Sequence, residues 1–177
     1  RSSDLAMSYG IEPDLTIMGK AIGGGMPLYV VGGKKEVMHG PYFVSSTFSG
    51  ETASIAAGIK ALEMVHQDEF SPARLWELGQ RFIDRFNEIN PYLVVIEGYP
   101  SRGRLKCLND SAKALFMQQA CLGGVLFGPS WFISHAHEQE LDHSLKVCEI
   151  ALEQISKAQV KLLGKPPLEP YSQRSRQ

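Results

Sequence analysis

Chemistry in this chain concentrates at a lysine. Lys20 ends a short apolar run in Pro13-Asp14-Leu15-Thr16-Ile17-Met18-Gly19-Lys20-Ala21-Ile22-Gly23-Gly24-Gly25-Met26-Pro27. A lysine amine held at a strand end in a partly dry pocket is a nucleophile that can condense with an aldehyde. Gly19 and the Gly23-Gly24-Gly25 triplet let the backbone come close to a large planar ligand, where side chains would collide. The plain alternative is a solvated lysine followed by a turn. A second candidate is the hydroxyl-rich segment Ser45-Ser46-Thr47-Phe48-Ser49-Gly50-Glu51-Thr52, just ahead of an Ala-rich helical stretch. Hydroxyls and amides there suit a phosphate, because a helix N-terminus favours anions. The same pattern is compatible with an ordinary helix cap.

Other motifs fall away on spacing. Neither G-x-x-x-x-G-K-[ST] nor G-x-G-x-x-G occurs, and the lysine precedes the glycine triplet, so a nucleotide loop is excluded. His137-Glu138 begins like H-E-x-x-H, but position 141 is leucine, so His135, His137 and His143 do not make a helical metal pair.

Taken in order, these segments resemble those of class III aminotransferases, a family of fold-type I enzymes that depend on pyridoxal 5′-phosphate (PLP). Ala53 to Val65 resembles the helix behind the family's phosphate-contacting segment. Gly124-Val125-Leu126-Phe127-Gly128-Pro129-Ser130 resembles the small-domain strand and loop, and Ser134-His135-Ala136-His137 the approach to the last helix. The likeness runs from about Tyr9 to about Ile155, and within the family it is greatest to glutamate-1-semialdehyde aminomutase-like members.

The resemblance implies an α/β fold: the C-terminal part of a PLP-binding large domain over 1–70, a small α+β domain over 71–163, and a disordered tail over 164–177. It implies that Lys20 carries PLP as a Schiff base and moves a proton between substrate and cofactor. Thr47 would hold the cofactor phosphate across a homodimer interface, flanked by Ser46 and Phe48. The implied partners are a small amine or amino acid and a carbonyl acceptor. Intramolecular transfer of the aminomutase kind is the alternative, and a non-catalytic dimerisation module is another. The family's Asp that pairs with the pyridine nitrogen would lie upstream of Arg1, so this piece alone is expected to be inactive and sparingly soluble. The chain departs from the family at Gly50-Glu51-Thr52, where many members carry Gly-Asn-Pro. Glu51 thereby sets a carboxylate near the expected phosphate. Arg102 and Arg104 are weaker candidates for a substrate carboxylate, and a solvated hairpin accounts for them as well.

Composition narrows the classes further. A formal net charge of −1, with 21% charged residues and no basic stripe, argues against nucleic acid. Cys107, Cys121 and Cys148 are odd in number and widely spaced, which favours reduced thiols in a cytoplasmic protein over a disulfide framework. No apolar run is long enough to span a membrane.

The elements that must position these residues follow from periodicity. Strands are expected at Leu15–Met18, 29–33, 93–97, 105–108, 125–127 and 131–133, with a polar turn over 100–103. A helical remnant is expected over 1–10 and one helical turn over 35–39. Thr52–Val65 should be a helix with Ile55, Ile59 and Leu62 on one face, and its Ala53, Ala56, Ala57, Gly58 and Ala61 permit close packing against a neighbour. Ser71-Pro72 is a helix start, with serine as N-cap and proline at the first helical position. Helices are also expected over 111–121 and 138–160. The Lys20 strand is expected in a mostly parallel sheet covered on both faces.

Overall fold

The structure, a computed structural model, describes residues 9–165 other than 42, 44 and 129. Most of the expected N-terminal helix and the tail from 166 onward lie outside the described residues. The chain divides between Ser71 and Pro72 into two compact units. Together they mix helix and sheet as an α/β fold.

In the first unit, β1 (Leu15–Met18) pairs antiparallel with β2 (Val30–Gly33), in the register Leu15↔Gly33 to Met18↔Val30. The described pairing is therefore antiparallel, where a mostly parallel arrangement was expected. Only the glycine-rich loop of 19–29 separates the two strands, too short for a parallel crossover. The open end of the hairpin is tied by Lys34 N–H to the Asp14 carbonyl (3.0 Å) and by a Lys34–Asp14 ion pair (2.8 Å). A short helix α1 (Lys35–Met38) follows, then α2 (Thr52–Val65).

Helix α2 packs against the 3₁₀ turn Lys20–Gly23 through its small residues. A Cβ on Gly58 would meet the Leu28 side chain at 2.5 Å and the Ile22 carbonyl at 3.2 Å, so only glycine admits this approach. Ile55, Ile59 and Leu62, on their own face, are 41%, 55% and 49% exposed. Among the described residues of this unit only Gly23, Ser54 and Gly58 are buried.

The second unit holds the hydrophobic core, and among the described residues the buried apolar side chains lie between Leu78 and Leu152. Helix α3 (Pro72–Ile89) contributes Leu78, Phe82, Ile83 and Phe86 at the spacing of one helical face. These pack on a three-stranded antiparallel sheet of order β3-β4-β5, with β3 Val94–Tyr99, β4 Arg102–Cys107 and β5 Ser130–Phe132. Phe82 stacks on Trp131 at 5.1 Å and Phe86 meets Phe116 edge-on at 5.6 Å. Asn87 pins α3 to the sheet edge, accepting from Ile96 N–H (2.7 Å) and donating to its carbonyl (3.0 Å). Helices α4 (Asp110–Leu122) and α5 (Leu141–Ser156) complete the layer.

Three details differ from the sequence reading. Residues 125–127 are not a strand, because the Val125 amide turns back to the Ala120 carbonyl (2.8 Å) and finishes α4. The last helix begins as a 3₁₀ turn over His135–Glu140 and ends at Ser156, with Ala158 at φ 53°. The β3–β4 hairpin turns within residues 100–101, so both strands run further than expected. A Cβ on Gly103 would strike Ile96 at 2.5 Å, and glycine is what lets β4 continue there.

Candidate functional site

The chemistry-bearing residues lie in the first unit. Strand β1 delivers the chain to Gly19, and Lys20 opens the 3₁₀ turn. Lys20 has φ 58°, the left-handed region that a side-chain-bearing residue rarely adopts. It is exposed and makes no hydrogen bond or ion pair among the described residues, so its amine is available to a ligand.

Tyr29 crowds the approach. A Cβ on Gly19 would sit 2.4 Å from two ring carbons of Tyr29, so the tyrosine ring lies directly over the residue that precedes Lys20. Tyr29 is itself 71% exposed. Beyond the turn, Gly24 and Gly25 both have positive φ (56° and 95°), and a Cβ on Gly25 would meet nothing within 4 Å. Of the triplet only Gly25 faces open space, since Gly23 packs on Leu28 and Gly24 on the Ala57 carbonyl.

Ser46 and Thr47 stand in an exposed turn closed by Ser49 N–H to the Ser46 carbonyl (3.0 Å) and Glu51 N–H to the Phe48 carbonyl (3.2 Å). Neither residue is hydrogen-bonded to Lys20 among the described residues. Phe48 beside them is 67% exposed.

The sequence reading missed the role of Glu51. It is the N-cap of α2: one carboxylate oxygen accepts from Ala53 N–H (2.9 Å) and the other from Ser54 N–H (2.6 Å). The Ser54 side chain, followed by the Ala53 and Ser54 amides, holds its carboxyl below the usual glutamate range. An acidic residue immediately before an Ala-rich run was the available signal.

The remaining candidates resolve into structural roles. His137 Nδ1 accepts from Ser134 N–H (3.0 Å) and caps the 3₁₀ turn that leads into α5. No group of three His, Cys, Asp or Glu residues is placed to hold a metal among the described residues. Arg102 lies over the Phe132 ring at 5.6 Å, and Arg104 is on the same solvent face of β4. A cleft of about 240 Å³ in the second unit, lined by Phe82, Trp131, His137 and Leu141 among others, contains none of Lys20, Ser46 and Thr47.

An exposed amine in a left-handed turn, open glycine space beside it, and exposed hydroxyls and amides ahead of a helix suit a phosphorylated aldehyde. Pattern and fold together define a class. The aminotransferase class-III profile matches residues 5–146, and the chain belongs to that family. The chain is similar to the glutamate-1-semialdehyde 2,1-aminomutase of Francisella philomiragia, at 45% identity over 85 residues. That match covers 45% of this chain and 19% of the relative. It is also similar to the enzyme of that name from Thermosipho africanus, 32% identical over 155 residues, covering 75% of this chain and 37% of the relative. The chain thus spans well under half the length of these curated relatives.

Among solved structures, an omega-transaminase from Sphaerobacter thermophilus superposes with a TM-score of 0.72 at 24% identity, covering 84% of this chain and 40% of its own. The ornithine aminotransferase of Toxoplasma gondii, whose active site carries PLP at partial occupancy, gives 0.74 at 20% identity, covering 88% and 40%. The fold is that of a part of such transaminases. No described helix is long and apolar enough to cross a membrane.

Proposed function

We propose that this chain is the lysine-bearing part of a PLP-dependent enzyme that moves an amino group between an amine or amino acid and a carbonyl acceptor. The observation that carries the reading is Lys20, an exposed amine at the end of β1, held in a left-handed turn with glycines on both sides. Bound PLP would supply an aldehyde carbon and an electron-withdrawing ring. Lys20 Nζ would hold that aldehyde and, once freed, would carry the proton between the substrate α-carbon and the former aldehyde carbon. The Thr47 hydroxyl donates to the cofactor phosphate, with Ser46 beside it. In keeping with the family resemblance, Thr47 serves the site of a second subunit, so the working form is a homodimer. Residues 1–70 belong to the cofactor domain and 71–163 to the small domain.

Intramolecular transfer is the second reading, favoured by the aminomutase relatives. It retains the amino group within one substrate, where a transaminase requires a separate acceptor.

Borohydride reduction in the presence of PLP, followed by peptide mapping, tests the lysine. A pyridoxyl label on Lys20 that is lost in Lys20→Ala is the expected result. No label on Lys20 in the chain or in a longer protein containing it, under conditions that label a known PLP enzyme, would overturn the reading in favour of a non-catalytic module.

A further inference from the structure

Tyr29 is placed by the β1–β2 hairpin rather than by any core. The pair Met18↔Val30 ends the ladder, so Gly19 and Tyr29 stand opposite each other one step beyond it. Two Tyr29 ring carbons lie 2.4 Å from where a Gly19 Cβ would be, and the ring rests on the backbone immediately before Lys20. Its neighbour Leu28 is seated inward, against Gly58 of α2 and Gly23 of the 3₁₀ turn. Alternation turns Tyr29 to the opposite, exposed face, which it shares with Val31, Ile17 and Leu15.

The Tyr29 hydroxyl makes no hydrogen bond among the described residues, so no polar contact of the phenol accounts for this position. Consecutive Cα atoms stand about 3.8 Å apart, which brings an aromatic ring carried on the Lys20 side chain within reach of Tyr29. The left-handed φ of Lys20 interrupts the alternation that would otherwise set successive residues on opposite faces.

We infer that Tyr29 is a specificity-determining residue of the Lys20 site, an aromatic side wall that favours planar aromatic aldehydes over saturated ones. The inference rests on the proposed reading that Lys20 takes an aldehyde. Offset or edge-on contact between two rings adds to plain apolar burial. The hydroxyl has no part in it, so phenylalanine should serve equally.

Borohydride trapping with two aldehydes of similar size, benzaldehyde and cyclohexanecarbaldehyde, tests the inference on the chain without an activity assay. The Lys20 amine adds to the aldehyde carbon and water leaves; borohydride then delivers hydride to that carbon, and solvent a proton to the nitrogen. Peptide mapping reads the label on Lys20 relative to that on Lys106, an exposed lysine of the second unit, which cancels the aldehydes' intrinsic reactivities. Normalised in this way, benzaldehyde should label Lys20 roughly two- to tenfold more readily in the parent and in Tyr29→Phe. In Tyr29→Leu, which keeps apolar bulk and loses the π-system, the preference should disappear.

Equal labelling of the parent by the two aldehydes would overturn the inference. So would a preference that survives in Tyr29→Leu or is lost in Tyr29→Phe. If Tyr29→Leu does not fold, the parent and Tyr29→Phe still decide. A PLP label on Lys20 without any aromatic preference refutes the side wall and leaves the proposed function standing, whereas no label on Lys20 from any aldehyde refutes both.

Discussion

Replacing the candidate catalytic lysine by glycine should make the first unit more stable. Lys20 sits at φ 58°, and the left-handed conformation costs an L-residue about 1–2 kcal/mol. Its side chain is exposed and makes no hydrogen bond or ion pair among the described residues, so deleting it removes no stabilising contact. Lys20→Gly releases the backbone strain but gives the unfolded chain more freedom, worth about 0.4–1 kcal/mol in the other direction. The balance is a gain of about 0.5–1 kcal/mol. Lys20→Ala keeps the strain and should gain nothing. Native-state hydrogen exchange of the β1 and β2 amides reads the difference. Intrinsic fluorescence does not, because both tryptophans, Trp76 and Trp131, lie in the second unit. Equal protection in the glycine and alanine variants, or greater protection in the alanine variant, would refute the claim that strain is stored at this position.

Two further outcomes test the second unit. Gly79 lies in α3, where a Cβ would come 1.9 Å from the Pro100 carbonyl oxygen and 2.5 Å from its carbon. Gly79→Ala should destabilise by about 1–3 kcal/mol in urea followed by tryptophan fluorescence, outweighing the roughly 1 kcal/mol that alanine gains in a free helix; a more stable variant would refute the packing of the β3–β4 turn on α3. Burial pushes the Cys148 thiol up to about 12, so it keeps its proton at pH 8 and should react with a thiol reagent only after unfolding. Exposed Cys121 should react at once, and modification of folded Cys148 at the same rate would show that the core is open.

Legibility in the sequence tracked how local the cause was. Helix α3 was readable because Ser71-Pro72 marks its start and Leu78, Phe82 and Phe86 repeat at helical spacing. Residues 125–127 misled because a short apolar run does not reveal whether its amides pair with a strand or finish a helix, and Ala120 decided it. The packing face of α2 was readable from its small residues: Ala57, Gly58 and Ala61 are the ones that lie against Gly24, Leu28 and the Ile22 carbonyl. Lys20 and Thr47 were legible as candidates from their glycines and hydroxyls. The positive φ of Lys20 was not, because nothing in a lysine signals it. Glu51 was read as an intrusion near an anion, whereas its carboxylate closes the helix end.

The unequal burial of the two units has a thermodynamic consequence for recognition. The second unit completes its own aromatic cluster, while the first leaves Tyr29, Phe43, Phe48 and Ile59 each more than half exposed. Any association that covers those side chains removes apolar surface from water and carries a negative heat-capacity change larger than the area of a small ligand accounts for. Calorimetry across several temperatures would therefore separate burial of this face from binding of a small molecule at Lys20.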